Sequence, residues 1–274
     1  MSAAAAFPRQ GARRHFWRVF FIGGLISYRA LFYWITPWQY IPTMLGAPLF
    51  QILFFVYLGR ATGVGSTTFF VVGNSIQICS MSGIYGMTMA LANERQFQTL
   101  SPLLATPANR IALFLGRGLP VLISGLQTTV FGFLVSALIL NFRPSTAAIP
   151  ELALTVLVST ASCTGFGMAL GSFGLRVRDV WLSANIAYFA MLLLCGVEVP
   201  LRQLPGFLRG LAQILPLTHG IEAGRLLASG QHLAAAWPYI WEELAVGAAW
   251  ATIAFLLFTY FERQGRRTGS FDRL

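Results

Sequence analysis

Side chains that could perform chemistry are few in this chain and widely spaced. Lysine is absent, so neither a GxxxxGK[ST] phosphate-binding loop nor a lysine Schiff base can form. The histidines are scattered without HExxH spacing, and the cysteines lie inside apolar segments, where cysteine behaves as a small hydrophobic residue. These residues are His15, His219, His232, Cys79, Cys163 and Cys195. We therefore expect no catalytic residues, no metal and no cofactor bound by this chain.

The composition is that of a membrane protein. Of the 274 residues, 56% are hydrophobic and only 10% are charged, whereas a soluble domain carries about 25% charged residues. The net charge is +10, but the arginines cluster at the ends of apolar segments. That pattern is typical of membrane orientation, so we expect membrane lipids and no nucleic acid as partners.

Six apolar stretches approach the roughly 20 residues that a helix needs to cross a bilayer. We therefore predict an all-α, polytopic membrane protein with six transmembrane helices, in which residues 1–274 form a single domain. The predicted spans are residues 38–58, 69–91, 111–140, 152–175, 180–197 and 240–260.

Residues 13–34, before the first span, mix arginines with aromatic side chains. This mixture favours an amphipathic helix that lies in the membrane interface. The alternative is that Phe20–Ile35 enters the membrane as a span, which Arg29 in its middle makes costly.

Arginine in the connecting segments predicts the orientation. The N-terminal segment, the second and fourth loops and the C-terminal tail are rich in arginine, whereas the first and third loops carry only Arg60 and Arg143. Both termini are therefore expected in the cytoplasm, in the inner (cytoplasmic) membrane of a bacterium.

The last outer connection, residues 198–238, is long and amphipathic in two pieces, Phe207–Leu215 and Thr218–Leu227, which Pro216 separates. Its charged residues exclude a lipid-facing span. We predict a short re-entrant helical hairpin that enters the outer leaflet partway before the last span.

The second loop, residues 93–110, is longer than a connection between helices requires. Its apolar side chains recur at the spacing of one helix face; they are Phe97, Leu100, Leu103 and Leu104. Such a face either packs on the bundle of the same chain or docks into a groove of a soluble partner.

Two segments resemble ABC-2 type exporter permeases. ERQFQTLSPLLATPANRIALFLGR is similar to that family's ERExGTLExLLxTPxxRxxxxxGK through Glu94, Arg95, Thr99, Leu100, Leu103, Leu104, Thr106, Pro107 and Arg110. LRQLPGFLRGLAQILPLTHGIEAGRLL is similar to LPxxLxxLAxxxPLTHxxEAxR through Leu204, Pro205, Leu211, Pro216, Leu217, Thr218, His219, Glu222, Ala223 and Arg225. Gln98 and Ser101-Pro102 depart from the pattern. Permeases of daunorubicin-type drug exporters and Nod-factor exporters are the most similar in character.

The resemblance implies a membrane subunit that does not hydrolyse ATP itself. Residues 93–110 would form a coupling helix that contacts a cytoplasmic ABC ATPase, with Glu94 and Arg95 at the joint; the alternative for this pair is a solvated interface pair. Two permeases, identical copies as a homodimer or related chains, would hold two ATPase subunits, which bind ATP and Mg. Their closure would open an export path between the permeases.

Aromatic and polar residues in the first two spans are the candidates for the lining of this path, because intramembrane polar residues tend to face a cavity or a partner helix. They are Phe50, Phe54, Tyr57, Asn74, Gln77 and Met81. Such a lining suits a drug, a lipid or a glycolipid, and a polysaccharide is an alternative cargo.

Two other functional classes fit the sequence less well. A secondary transporter would need buried carboxylates as ion relays, and Glu198, Glu242 and Glu243 lie only at span edges. An intramembrane enzyme would need a nucleophile with its base, or a metal cluster, and the sequence contains no such set.

Overall fold

The structure is a computed structural model that describes residues 9–32, 38, 41–63, 65–90, 110–174 and 180–268. Within these ranges the regular structure is entirely helical. The α-helices are α1 (Arg9–Phe32), α2 (Ala47–Thr62), α3 (Thr67–Met81), α4 (Arg110–Ile139), α5 (Ala148–Gly174), α6 (Val180–Leu194), α7 (Gly206–Ile214), α8 (Thr218–Ala228) and α9 (Leu233–Thr268). The expected all-α class is confirmed.

Among the described residues, three helices are long and apolar enough to cross a membrane: Leu115–Ile139 in α4, Ala148–Phe173 in α5 and Leu233–Phe261 in α9. They coincide with the third, fourth and sixth predicted spans. The shorter apolar helices are Phe16–Ser27, Ala47–Thr62 and Val180–Leu194.

The first two predicted spans contain π-helical segments. Ile41–Gly46 leads into α2, and Ser82–Gly86 follows α3 without a break before residues 87–90 resume the helix. A π-helical turn inserts extra backbone into a helix and is frequent at functional sites. These segments divide two continuous helical stretches, 41–62 and 67–90, into shorter α-helices.

The core forms where α3 and α5 meet the surrounding helices. Every residue from Phe70 to Ser80 is buried, which places α3 at the centre of the molecule. α5 packs against α9 in the most extensive helix–helix contact. Buried side chains of α2, α6 and α8, among them Ile52, Met191 and Ile221, complete the main hydrophobic cluster.

The close approach between the π-helical segment 82–86 and α5 depends on two glycines. A Cβ atom added at Gly167 would collide with the carbonyl oxygen of Gly83, and one added at Gly83 would press against Cys163. Small residues allow helix backbones to come this close in membranes.

The N-terminal helix α1 packs along the first turns of α4. Gly24 faces the backbone of Gly116, and Gly116 faces the backbone of Phe20. Trp17, Phe21, Leu25 and Ile26 remain exposed on the other side of α1. The predicted helix over 13–34 is therefore present with its bounds at Arg9 and Phe32.

The last helix begins earlier than the sequence pattern predicts. The expected outer connection ends at Pro238, whereas α9 begins at Leu233 and includes Pro238 in its second turn. Pro238 is the sixth residue of the helix, beyond the amide groups that lack an acceptor, so α9 forgoes the hydrogen bond to the carbonyl of Ala234 at this point.

We expect Gly167→Ala to lower the thermal stability of the detergent-solubilised protein by several degrees, because overpacking of a close contact costs about 1–3 kcal/mol. Gly210→Ala is the matched control, since a Cβ at Gly210 in α7 meets no atom within 4 Å. Equal melting temperatures for the two variants would contradict the proposed close packing.

Candidate functional site

The predicted coupling segment falls almost wholly outside the described residues. Its candidates Glu94, Arg95, Phe97, Thr99, Leu100, Leu103, Thr106 and Pro107 all lie between the described ranges that end at residue 90 and resume at 110. Arg110 is the first residue of α4. The segment therefore joins the end of the 67–90 helical stretch to the start of α4.

The structure separates the predicted path residues into two groups. Phe50, Phe54 and Tyr57 lie together on an exposed face of α2, with between half and three-quarters of each side chain accessible. Asn74 and Gln77 are completely buried on α3, and Met81 is half-buried. The aromatic face of α2 and the polar side chains of α3 therefore belong to different surfaces.

The buried polar residues of α3 join a hydrogen-bonded network between three helices. The Gln51 amide on α2 donates to the Asn74 amide oxygen at 3.1 Å, and the Tyr188 hydroxyl on α6 donates to Gln51 at 2.8 Å. Asn74 in turn donates to the carbonyl of Phe70 at 3.0 Å. Polar side chains that would lack hydrogen-bond partners in lipid find those partners here on neighbouring helices.

A second part of this network lies one helical turn deeper. The Tyr85 hydroxyl donates to the Asn185 amide oxygen at 2.8 Å. The ring of Tyr85 lies 5.7 Å from that of Tyr188 and 5.8 Å from that of Trp181. The side of α6 that faces the 67–90 stretch is thus aromatic and polar, whereas Leu182, Ile186 and Phe189 on its other side are exposed.

Glu198 lies at the outer end of the network, in the link between α6 and α7. Neither carboxylate oxygen is accessible to solvent, and neither has a hydrogen-bond partner. Burial raises the pKa of Glu198 to about 7, although the nearby Asn74 amide and the Arg225 guanidinium both favour the ionised form. A buried carboxylate without a partner is costly, so this position requires an explanation.

Arg225 connects α8 to two other parts of the chain. Its Nη2 donates to the carbonyls of Gly196 at 2.6 Å, Val197 at 3.2 Å and Phe69 at 3.3 Å. The guanidinium also lies over the Phe69 ring, 3.6 Å from its centroid, a favourable cation–π geometry. Arg225 therefore joins α8 to the start of α3 and to the end of α6.

The predicted outer hairpin contains the two expected helices, α7 and α8, with the buried Pro216 between them. The Thr218 hydroxyl donates to the carbonyl of Ala212. The His219 Nε2 atom lies 3.1 Å from the carbonyl oxygen of Gln213. Pro205 precedes α7 and its carbonyl accepts from Arg209. Glu222 lies 3.8 Å from Arg225 one turn away. The predicted outer residues therefore form one compact element.

One face of α7 is apolar and exposed. Phe207, Leu211 and Ile214 recur along it with about half to three-quarters of each side chain accessible. On the opposite side, the Arg209 guanidinium bends back to the carbonyls of Leu201 and Arg202. The helix thus presents hydrophobic side chains away from the protein and holds its charge against the backbone.

Glu243 is the functional candidate whose position the sequence pattern misjudges. It is expected at a span edge, but it is completely buried on α9. Its carboxylate accepts the backbone N–H groups of Leu217 at 2.8 Å and Gly220 at 3.0 Å. These groups belong to the N-terminus of α8, where backbone donors lack partners within the helix and the helix dipole favours an anion. Glu243 thus caps a helix from a different element.

The cap contains strained backbone. Leu217 has φ of 78°, a left-handed conformation that is uncommon for a residue with a side chain. Next to it, His219 Nδ1 lies 2.9 Å from a carboxylate oxygen of Glu242. The adjacent glutamates of α9 therefore both contact the first turn of α8, one buried and one at the surface.

The sequence indicates that Glu243 is unusual, but residue spacing alone does not show its role. Glu242 and Glu243 are consecutive acidic residues inside an apolar helix, and an ionisable residue inside a membrane helix suggests a function. Only the packing of α8 against α9 identifies which of the two is buried and which groups it binds.

Comparison with known proteins gives a family match. The model of the ABC-2 type transporter family matches residues 22–227, which include the segment 93–110 and most of the outer element.

Two relatives in Escherichia coli (strain K12) are similar over part of their length. The "Probable multidrug ABC transporter permease YbhR" is 25% identical over 193 residues, which cover 69% of this chain and 52% of that protein. The "Inner membrane transport permease YhhJ" is 26% identical over 175 residues, covering 62% and 46%. The chain spans about half the length of the curated relatives it matches.

We expect Glu243→Ala to destabilise the outer element, because two buried N–H groups lose their acceptor and each unsatisfied donor costs about 1–3 kcal/mol. Thermal unfolding in detergent should begin several degrees lower, and α8 should become sensitive to protease. Glu242→Ala, which removes a mostly exposed carboxylate, should have a much smaller effect. Equal unfolding temperatures for the two variants would show that the Glu243 contact does not stabilise the protein.

Proposed function

The chain belongs to the ABC-2 type transporter family, and from this premise we propose that it is the membrane permease subunit of an ATP-driven ABC exporter. The observation that carries this proposal is the family match over residues 22–227. It is joined by an interior of apolar helices in which most buried polar groups are uncharged, which suits a transport path better than catalysis.

Six transmembrane helices are proposed. The three long apolar helices supply the third, fourth and sixth spans. The helical stretches 41–62 and 67–90 supply the first two, since about 20 helical residues cover the hydrocarbon core. α6 supplies the fifth, together with the residues that follow it up to Val197. α1 lies in the interface, and α7 and α8 enter the outer leaflet partway, which the exposed apolar face of α7 supports.

The proposed location is the inner membrane of a bacterium, with both termini in the cytoplasm and residues 1–274 forming one transmembrane domain. Arginine-rich segments remain on the cytoplasmic side. In this orientation, segment 93–110 and α1 lie at the cytoplasmic surface, and the element formed by α7 and α8 lies at the outer surface.

Energy for transport comes from two copies of a separate ABC ATPase that bind ATP and Mg. Segment 93–110 acts as the coupling helix, and closure of the ATPases moves it against the bundle. The movement reaches the outer face through the contiguous 67–90 stretch and α4, which flank the segment on both sides.

A second permease, identical or related, covers the aromatic face of α2. Phe50, Phe54 and Tyr57 form a row of exposed large side chains, and such a patch marks a partner surface or a lipid contact. The export path runs between the two permeases. Its aromatic wall suits an amphipathic small molecule, a lipid or a glycolipid.

Coupling can be tested by mutation of the pair at the start of the segment. In Glu94→Ala and Arg95→Ala, we expect co-purified ATPase to keep hydrolysing ATP while transport falls at least tenfold, because the joint no longer transmits the movement. The measurement is ATPase activity and transport in proteoliposomes that contain the tagged chain and its co-purified partner.

Arg143→Ala is the matched control for the coupling variants, since Arg143 is exposed in the loop between α4 and α5. It should transport like the native protein. Native transport in both coupling variants, or transport by the permease alone without ATP, would refute the proposal.

Orientation can be tested by cysteine labelling, because the native cysteines are buried. We expect a membrane-impermeant maleimide to label Gln231→Cys in intact spheroplasts, since Gln231 is exposed beside the outer element. Gln98→Cys should react only after the membrane is permeabilised. Labelling of Gln98→Cys in intact spheroplasts would mean that the coupling segment lies on the outer side of the membrane, which contradicts the proposed orientation.

A further inference from the structure

Two side chains close to the Gln51–Asn74–Tyr188 network bury polar atoms that make no hydrogen bond of ordinary geometry, and the Asn74 amide lies beside one of them, the Glu198 carboxylate. Both the oxygen and the nitrogen of the Gln77 amide are buried without a hydrogen bond, and so are both carboxylate oxygens of Glu198. Each unpaired group costs about 1–3 kcal/mol. Unpaired groups gathered in one place therefore indicate a site that a ligand satisfies.

The backbone geometry brings the face of α3 that carries Gln77 against the link that carries Glu198. Gly73 and Gln77 are four residues apart, so they lie on the same face of α3. A Cβ atom at Gly73 would lie 2.8 Å from the carbonyl oxygen of Val197 and 2.9 Å from Arg225 Nη2. That face of α3 therefore meets the chain at the residue before Glu198, and Gln77 follows one turn deeper.

Aromatic rings and amides surround the same position. Glu198 acts electrostatically on Tyr188, and the Asn74 amide lies beside the Glu198 carboxylate. Tyr85 continues the wall, with its ring 5.7 Å from that of Tyr188. The site thus combines an anion, amide oxygens and the faces of electron-rich rings.

We propose that Glu198, Gln77 and Tyr188 form a subsite within one subunit for the protonated amine of an amphipathic cargo. This inference rests on the proposed function as an exporter, and it names the chemical class of the substrate. An ammonium group donates three hydrogen bonds, which match the Glu198 carboxylate and the Gln77 amide oxygen. The tyrosine rings add cation–π attraction.

The charges around the subsite favour a cation over an anionic head group, although Nε of Arg225 is buried without a hydrogen bond. Glu198 supplies the negative charge. The nearest cation, Arg225, already donates to three backbone carbonyls. Among the described residues no ion pair joins Arg225 to Glu198, and the closest carboxylate to its guanidinium is that of Glu222 at 3.8 Å.

The position of Glu198 explains how a cargo would enter. The carboxylate is covered in this structure, and it lies in the link 195–200 between α6 and the outer element. A movement of α7 and α8 shifts this link and uncovers the carboxylate. Transport would then combine release at the outer face with movement of the outer element.

Dansylcadaverine, an amphipathic fluorophore with one primary amine, tests the subsite. Its N-acetyl derivative is nearly identical in shape but carries no charge. We expect the native chain in lipid nanodiscs to bind dansylcadaverine at least tenfold more tightly than the N-acetyl form, as measured by the rise in dansyl fluorescence. Glu198→Gln should abolish this preference.

Two further variants and one control define the site. Gln77→Met and Tyr188→Leu should weaken dansylcadaverine binding three- to tenfold, and Glu242→Gln, which changes a mostly exposed carboxylate, should bind like the native chain. The melting temperature of each variant establishes that it is folded. Equal affinity of both probes for the native chain, or unchanged affinity in Glu198→Gln, overturns the proposal.

The pH dependence gives an independent readout. Because burial raises the pKa of Glu198 to about 7, the carboxylate gains a proton as the pH falls, and the amine loses its counter-charge. Dansylcadaverine should bind more weakly at pH 5.5 than at pH 8, and Glu198→Gln should remove this difference. The other groups near Glu198, Arg225 and Tyr188, keep their protonation state over this range. A difference that persists in Glu198→Gln argues against the subsite.

The failure of this inference is distinct from the failure of the proposed function. The binding assay uses the permease alone, with no ATPase and no nucleotide. If amine binding is absent while ATPase still co-purifies and transport still falls in Glu94→Ala, the subsite is wrong and the exporter function stands. Specific amine binding by a chain with which no ATPase co-purifies would support the subsite and refute the ATP-driven function.

Discussion

The contact between the Glu243 carboxylate and the N-terminus of α8 is the interaction on which the outer half of the molecule depends. A buried charge is tolerated only where donors replace water. Here the donors are the N–H groups of Leu217 and Gly220, which would themselves be unpaired without the carboxylate. The carboxylate and the two N–H groups complete each other's hydrogen bonding, so the contact fixes the position of α8 on α9. Removal of either side leaves a buried polar group exposed to an apolar environment.

This cap and the Arg225 contacts hold α8 from two directions. Glu243 fixes the N-terminus of α8 to the last helix, while Arg225, near its C-terminus, binds carbonyls at the start of α3 and the end of α6. The outer element is thus connected to three helices that also form the core. A displacement of α3 or α6 changes the Arg225 contacts directly, and this gives a physical route by which movement of the bundle reaches α8.

The interior carries its polarity as amides and hydroxyls more than as charges. Gln51, Asn74 and Tyr188 satisfy one another across three helices, which lets polar groups remain within an apolar bundle at low cost. Glu198 differs from them because its oxygens are buried without partners. Under the proposed amine subsite, this contrast separates the groups that hold the fold from the carboxylate that would bind a cargo.

The sequence by itself determined the membrane class, the helical fold, the family resemblance and the two helices around Pro216, because these follow from local composition, periodicity and motif spacing. Only the tertiary structure decided which polar residues meet. The sequence predicts Glu243 at a span edge, but the packing of α8 on α9 buries it. The sequence predicts that Phe50 and Gln77 line one path, but Phe50 lies on an exposed face of α2 and Gln77 is buried. Burial and pairing depend on contacts between helices far apart in the chain, which local patterns do not encode.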